Sequence, residues 1–133
     1  AGAEDGCGFL TEEGRCGIHP FRPGICRLFP LGRYYEENGF RYFLQVHECQ
    51  KENRAKVKVK KWLDTPDLKK YEMYIARWHG LLIQLQEFIA AHPESAKAVS
   101  MDVLQRFYLT PYRTEEFYSE FFQRMDEAKK AYC

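Results

Sequence analysis

The sequence predicts an α+β, mainly α-helical fold, in which an irregular cysteine-rich loop and a small β-hairpin pack on about three helices. Three observations predict it. Residues 1–33 are rich in Gly, Pro and Cys and lack a sustained apolar period. Asn38-Gly39 sits between two aromatic-rich runs. From Thr65 onward apolar residues recur at three- and four-residue steps. At 133 residues, 45% hydrophobic and 16% aromatic, the chain has enough apolar surface for one folded domain and too much for a disordered one. Along the sequence that domain divides into a cysteine-rich loop and hairpin over residues 1–50, a basic connector over 51–64 and a helical unit over 65–133.

Each element has a local reason. Tyr34-Tyr35-Glu36-Glu37 and Phe40 to Val46 suit strands, and Asn38-Gly39 supplies the positive φ angles of a tight turn between them. The returning strand would carry Cys49 back toward the loop that holds Cys26. Alternation at Lys56-Val57-Lys58-Val59-Lys60 reads as a short half-buried strand or an extended lead-in to a helix. Thr65-Pro66 resembles an N-cap followed by proline at the first helical position, with Asp67 favourable to the dipole. From there Leu68, Tyr71, Ile75, Trp78, Leu82, Leu85 and Ile89 form one apolar stripe, which ends at His92-Pro93. Ser95 or Ser100 opens a shorter helix bearing Val103, Leu104 and Phe107, closed by Pro111. Thr114-Glu115-Glu116 starts a third, with Phe117, Phe121, Met125 and Ala128 on one face.

Charge excludes several partner classes. The chain carries a net +1, so it has no global attraction for nucleic acid. Residues 51–61 hold six basic residues and one acid, yet no aromatic is interleaved there to stack bases, so a solvated face is the expectation and nucleic acid is not. No 18-residue apolar run could span a membrane. A protein partner, of unknown identity, stays open. Glu12-Glu13 and Glu36-Glu37 pair carboxylates in sequence only, and no phosphate loop, Ser/His/Asp set or dinucleotide fingerprint occurs.

Chemistry concentrates in the cysteines. Cys7-x8-Cys16-x9-Cys26-x22-Cys49 gathers four thiols near the start, and the next cysteine is Cys133. None of these gaps is the two-residue knuckle of a zinc ribbon. A soft metal nevertheless needs thiolates, and Arg15, Arg22 and Arg27 bring the positive charge that favours them. Prolines 20, 23 and 30 and glycines 8, 17 and 24 suit a backbone that wraps a small object and donates N–H groups to sulfur. Two disulfides would suit a secreted protein, but three helices do not need staples and no Asn-x-Ser/Thr site occurs, so the expectation is cytoplasmic. His19 and His47 could stand in for a thiolate, as could Cys133 at the chain end, but residues so placed more often face solvent or lie beside a site than ligate.

The string Cys7-Gly-Phe9-Leu10-x5-Cys16-x-Ile18-x3-Arg22-Pro23-x2-Cys26-Arg27-x-Phe29-Pro30 resembles the later part of the CxxCxxCC cysteine-cluster family, a zinc- or iron-chelating domain. Agreement covers residues 7–33, and Cys49 and Trp62-Leu63 extend it more loosely. The upstream CxxCxxCC run itself is absent from the sequence. The resemblance implies a metal-binding protein with Cys7, Cys16, Cys26 and Cys49 as ligands. Arg22 and Arg27 would be cofactor-binding groups that offset thiolate charge, unless they pair with Glu residues of the helices. Four thiolates satisfy a tetrahedral zinc or a four-iron cluster. The irregular spacing and the iron–sulfur members of the family put an iron–sulfur cluster first, zinc second, and disulfides or free thiols third. Two further readings follow from the same resemblance: a structural zinc-binding interaction module, and an enzyme like the cluster-bearing flagellin lysine methylases. No methyl-donor site is legible, and whether the protein is an enzyme stays open.

Overall fold

The computed structural model describes residues 6–48, 52, 55–113 and 115–133 of the chain. Among these residues it is mainly helical, with one two-stranded antiparallel sheet. The chain divides into two compact units. One comprises Ala1–Tyr34 and Arg41–Asp64, the other Tyr35–Phe40 and Thr65–Cys133.

The first unit is built from short pieces. A 3₁₀ turn at His19–Phe21 leads into α1, Gly24–Leu28. The carbonyl of Pro23 starts this helix by accepting from the N–H groups of Cys26 and Arg27. The hairpin follows, with β1 at Leu31–Glu36 and β2 at Gly39–Leu44. Its base lies in the first unit, and its tip, Tyr35–Phe40, in the second. The turn residues are Glu37 and Asn38, one step earlier than the sequence suggests. Only Gly39 uses a positive φ, +142°, and it opens β2 instead of closing the turn.

A close approach fixes the hairpin base. Gly32 lies under the ring of Phe43, where a Cβ would collide with the ring carbons. Gln45 then continues the pairing, its backbone N–H donating to Pro30 and its side-chain amide to Leu31.

Lys56 to Lys58 are an extended lead-in and not a strand. α2 begins at Val59 and ends at Leu63, where Asp64 takes the left-handed conformation (φ 46°). Leu28 and Leu63 are the buried apolar side chains of this unit among the described residues.

The second unit holds α3 (Leu68–Ala91), α4 (Ala96–Leu104) and α5 (Phe117–Tyr132). α3 is capped by Asp67, not Thr65. The Asp67 side chain accepts from the Lys70 N–H, and its backbone is left-handed at φ 47°. The buried residues of α3 are Leu81 and Leu85, so its core face is turned away from the expected Leu82 and Ile75. α4 runs on into a π-helical turn, Gln105–Leu109. α5 begins at Phe117; Thr114, where the sequence suggests its start, lies outside the described residues.

Leu81, Leu85, Val99, Phe107, Phe121, Met125 and Ala128 make one core, with Tyr74 and Trp78 packed on it. Its aromatic rings meet at edges and tilts: Trp78 and Phe107 centroids are 4.7 Å apart, and Tyr74 and Phe121 4.8 Å. Such offset contacts align the positive ring edge with the negative ring face. The hairpin tip joins this unit through Tyr35, whose ring stacks on His79 at 3.7 Å.

One charged side chain belongs to this core. Arg124 is 8% exposed. Its guanidinium donates to the carbonyls of Arg106 (2.6 Å), Thr110 (2.8 Å) and Pro111 (2.8 Å), and to the Glu120 carboxylate (2.5 Å). It also lies over the ring of Tyr112 at 3.9 Å. The carbonyls at the end of a helix have no partner within the helix. A planar five-donor group can satisfy several of them at once.

Candidate metal centre

Backbone pairing places the first two cysteines on one small loop. The Leu10 N–H donates to the Cys7 carbonyl at 3.1 Å, and Leu10 forms an antiparallel bridge with Cys16. Around that bridge, Thr11 N–H reaches Arg15 and Gly17 N–H reaches Phe9, at 2.7 and 2.8 Å. Gly14 turns the loop with φ +71°, a conformation that costs a side-chain-bearing residue more than glycine. Glu13 sits on the same turn. The Thr11 hydroxyl, and then its own backbone N–H, hold its carboxyl below the usual range.

Cys26 stands on α1, two residues past its start. Cys7 and Cys26 are exposed, Cys16 is half-buried, and all three are free thiols. Cys49 lies outside the described residues. Among the described residues no three His, Cys, Asp or Glu side chains come together as a metal-binding group. Cys7 and Cys16 therefore share a loop, while no coordinating set that joins them to Cys26 is seen among the described residues. The donor chemistry still suits a soft metal, since the thiols are reduced and reachable and a thiolate is the species such an ion takes.

The two arginines have partners inside their own unit. Arg22 donates to Nε2 of His19 at 2.7 Å. A guanidinium only donates, so that nitrogen holds the lone pair and the ring proton sits on Nδ1. Arg27 donates to the carbonyl of Asp64 (3.1 Å) and to that of Pro20 (3.5 Å). It thereby ties α1 to the end of α2 and to the 3₁₀ turn. Both arginines contact neutral groups here, and no Glu of the helices is among these partners. His47 lies exposed on the turn after β2, and Cys133 is exposed at the end of the chain.

Sequence reasoning overlooked the role of Trp62. Its indole N–H donates to the Phe29 carbonyl at 3.1 Å, fastening α2 to the end of α1. The one signal in the sequence was the Trp62-Leu63 pair as a loose extension of the resemblance, which says nothing of its partner. No family model, curated protein or solved structure matches this chain. Geometry and donor chemistry must therefore carry the functional reading.

Proposed function

We propose that this chain is a metal-binding cysteine-cluster protein that holds an iron–sulfur cluster through Cys7, Cys16, Cys26 and Cys49. The observation that carries the reading is a mismatch within the first unit. Among the described residues that unit buries Leu28 and Leu63, while Phe9, Leu10, Phe21, Ile25 and Phe29, which lie near the three free thiols in sequence, stay exposed. A unit with so little apolar core gains its stability elsewhere, and metal ligation is a common source in small units. The fixed spacing of the Arg22-Pro23-x-x-Cys26-Arg27 string and its resemblance to the CxxCxxCC family support the same reading.

A four-iron cluster would supply one-electron chemistry, and its binding would draw the thiols together and so be coupled to the folding of the unit. Within that site Arg27 would hold α1 in place through the Asp64 and Pro20 carbonyls. A cytoplasmic setting, where thiols stay reduced, fits the free cysteines.

The test is the anaerobic absorption spectrum of the full chain together with its iron, zinc and acid-labile sulfide content. Matching iron and sulfide with a broad charge-transfer band, both lost in Cys26→Ser, is the expected result. Stoichiometric zinc without colour makes the protein a structural zinc module instead. A chain that takes up neither metal overturns the proposal.

A further inference from the structure

We propose that the outer face of α1 and α2 is a docking surface for an acidic segment of a partner protein that carries apolar anchor residues. Ile25 and Phe29 lie one turn apart, joined by the Phe29 N–H to the Ile25 carbonyl, and are 71% and 46% exposed. The Trp62 indole, 44% exposed, donates to the Phe29 carbonyl and so adjoins them. Three large apolar residues thus lie close together along hydrogen-bonded backbone and are each well exposed, although Leu28 and Leu63 on the same two helices are buried. A contiguous exposed apolar patch marks an interaction site more often than scattered apolar residues do. Tryptophan is also among the residue types enriched in binding hot spots.

Charge selects the occupant. Lys58 lies one turn before Trp62, whose N–H donates to the Lys58 carbonyl at 2.9 Å, and Lys60 and Lys61 flank the same turn, all three exposed. Residues 53–63 contain five Lys or Arg and no acid. An apolar patch with a lysine rim is complementary to a segment in which Asp or Glu surrounds one or two large apolar side chains. A membrane surface is disfavoured because α1 and α2 have five residues each, and interfacial anchors rely on long amphipathic helices. A single-stranded nucleic acid is disfavoured because the chain as a whole carries a net charge of only +1 and gives no global attraction for it. The surface uses no thiol, although Ile25 and Phe29 flank Cys26 and so border the proposed metal site.

The experiment titrates the full chain into a fluorescein-labelled, Glu-rich peptide bearing one Leu and one Phe, read by anisotropy. A peptide with Lys in place of every Glu serves as the comparison. Saturable binding that weakens with salt is expected, with about tenfold lower affinity for Lys58→Glu/Lys61→Glu, as two reversed contacts near an interface would give. Ile25→Ser should weaken binding without changing its salt dependence. Both variants alter exposed side chains, and unchanged circular dichroism and metal content will separate lost docking from lost folding. The proposal is overturned by absent binding, by equal binding of the Lys peptide, or by equal affinity of the charge-reversed variant. Tighter binding to anionic vesicles or to an oligothymidylate overturns it as well.

Discussion

Replacing Arg124 with Met should destabilise the helical unit by about 3 kcal/mol. The side chain is nearly enclosed, and three carbonyl oxygens from Arg106, Thr110 and Pro111 accept from it. Methionine fills much of the volume but donates nothing, so those carbonyls lose their partner at a part-buried site beside the core. A net loss of about 1 kcal/mol per hydrogen bond gives the figure, and buried ion pairs that lose one partner fall in the same range. Glu120 adds nothing to the sum, because its carboxylate is open enough to be solvated again.

Urea denaturation followed by far-ultraviolet circular dichroism is the assay. With a slope of about 1.5 kcal/mol/M, the midpoint should fall by about 2 M. Arg124→Lys should recover less than half of the loss, because one ammonium on a flexible stem cannot span three carbonyls as a planar fork does. A midpoint shift below about 0.5 M for the Met variant would refute the reasoning, since it would mean that water or backbone adjustment satisfies the carbonyls equally well.

Other positions give independent tests. Gly32→Ala places a methyl against the Phe43 ring and should cost about 1 kcal/mol, and Phe43→Ala in the same chain should recover part of it, as read by hydrogen exchange of the hairpin amides. Asp67→Ala loses both the bond to Lys70 and tolerance of a left-handed backbone, so a loss of about 1–2 kcal/mol in thermal unfolding is expected, whereas Asp67→Asn should be nearly silent. The backbone N–H of Arg113, and then the Arg124 guanidinium, hold the Glu120 carboxyl below its usual range. Its contribution is therefore complete above the ordinary carboxylate pKa and fades as pH falls below about 4, and Glu120→Gln should flatten that acid limb. Burial, reinforced by neighbouring tyrosines, pushes Tyr74 up to about 12. The neutral phenol is thus favoured in the folded state, and stability should be intact below pH about 10 and decline above it, less so in Tyr74→Phe.

The three helices of the second unit were legible because they carry strong punctuation and an apolar period. By contrast α1, inside the segment expected to be an irregular loop, and α2 are five residues each and too short to show one. Which face of α3 turns inward was legible only in part, since Trp78, Leu85 and Ile89 of the expected stripe do meet the core. Tyr74, Ile75, Trp78, Leu81, Leu82, Leu85, Phe88 and Ile89 cover so much of its circumference that two stripes satisfy the same three-and-four spacing, and only packing against Val99 and Phe121 selects Leu81 over Leu82. The turn at Glu37-Asn38 escaped because glycine's freedom serves equally well one residue after a turn. Asp67 was read as an aid to the dipole because Thr65-Pro66 offered a complete start signal of its own.

Arg124 looked like any charged residue on an amphipathic helix. Its partners are carbonyls within and just after a π-helical turn, which no side-chain pattern announces. The cysteine-rich segment shows the opposite limit. Its thiols stand out in sequence, but spacings of eight, nine and twenty-two residues impose no local geometry.

The unequal distribution of buried side chains has a practical consequence for anyone weighing variants of this protein. Seven of the nine buried apolar residues among those described lie in the second unit. A melting curve of the whole chain is then dominated by one cooperative transition and is nearly blind to damage in the other unit. A change near Cys16 or Leu28 can leave the melting temperature untouched and still expose the first unit to proteases, which act on the segments that open most cheaply. In a cell, such a variant would be noticed first as low abundance of an otherwise well-folded chain.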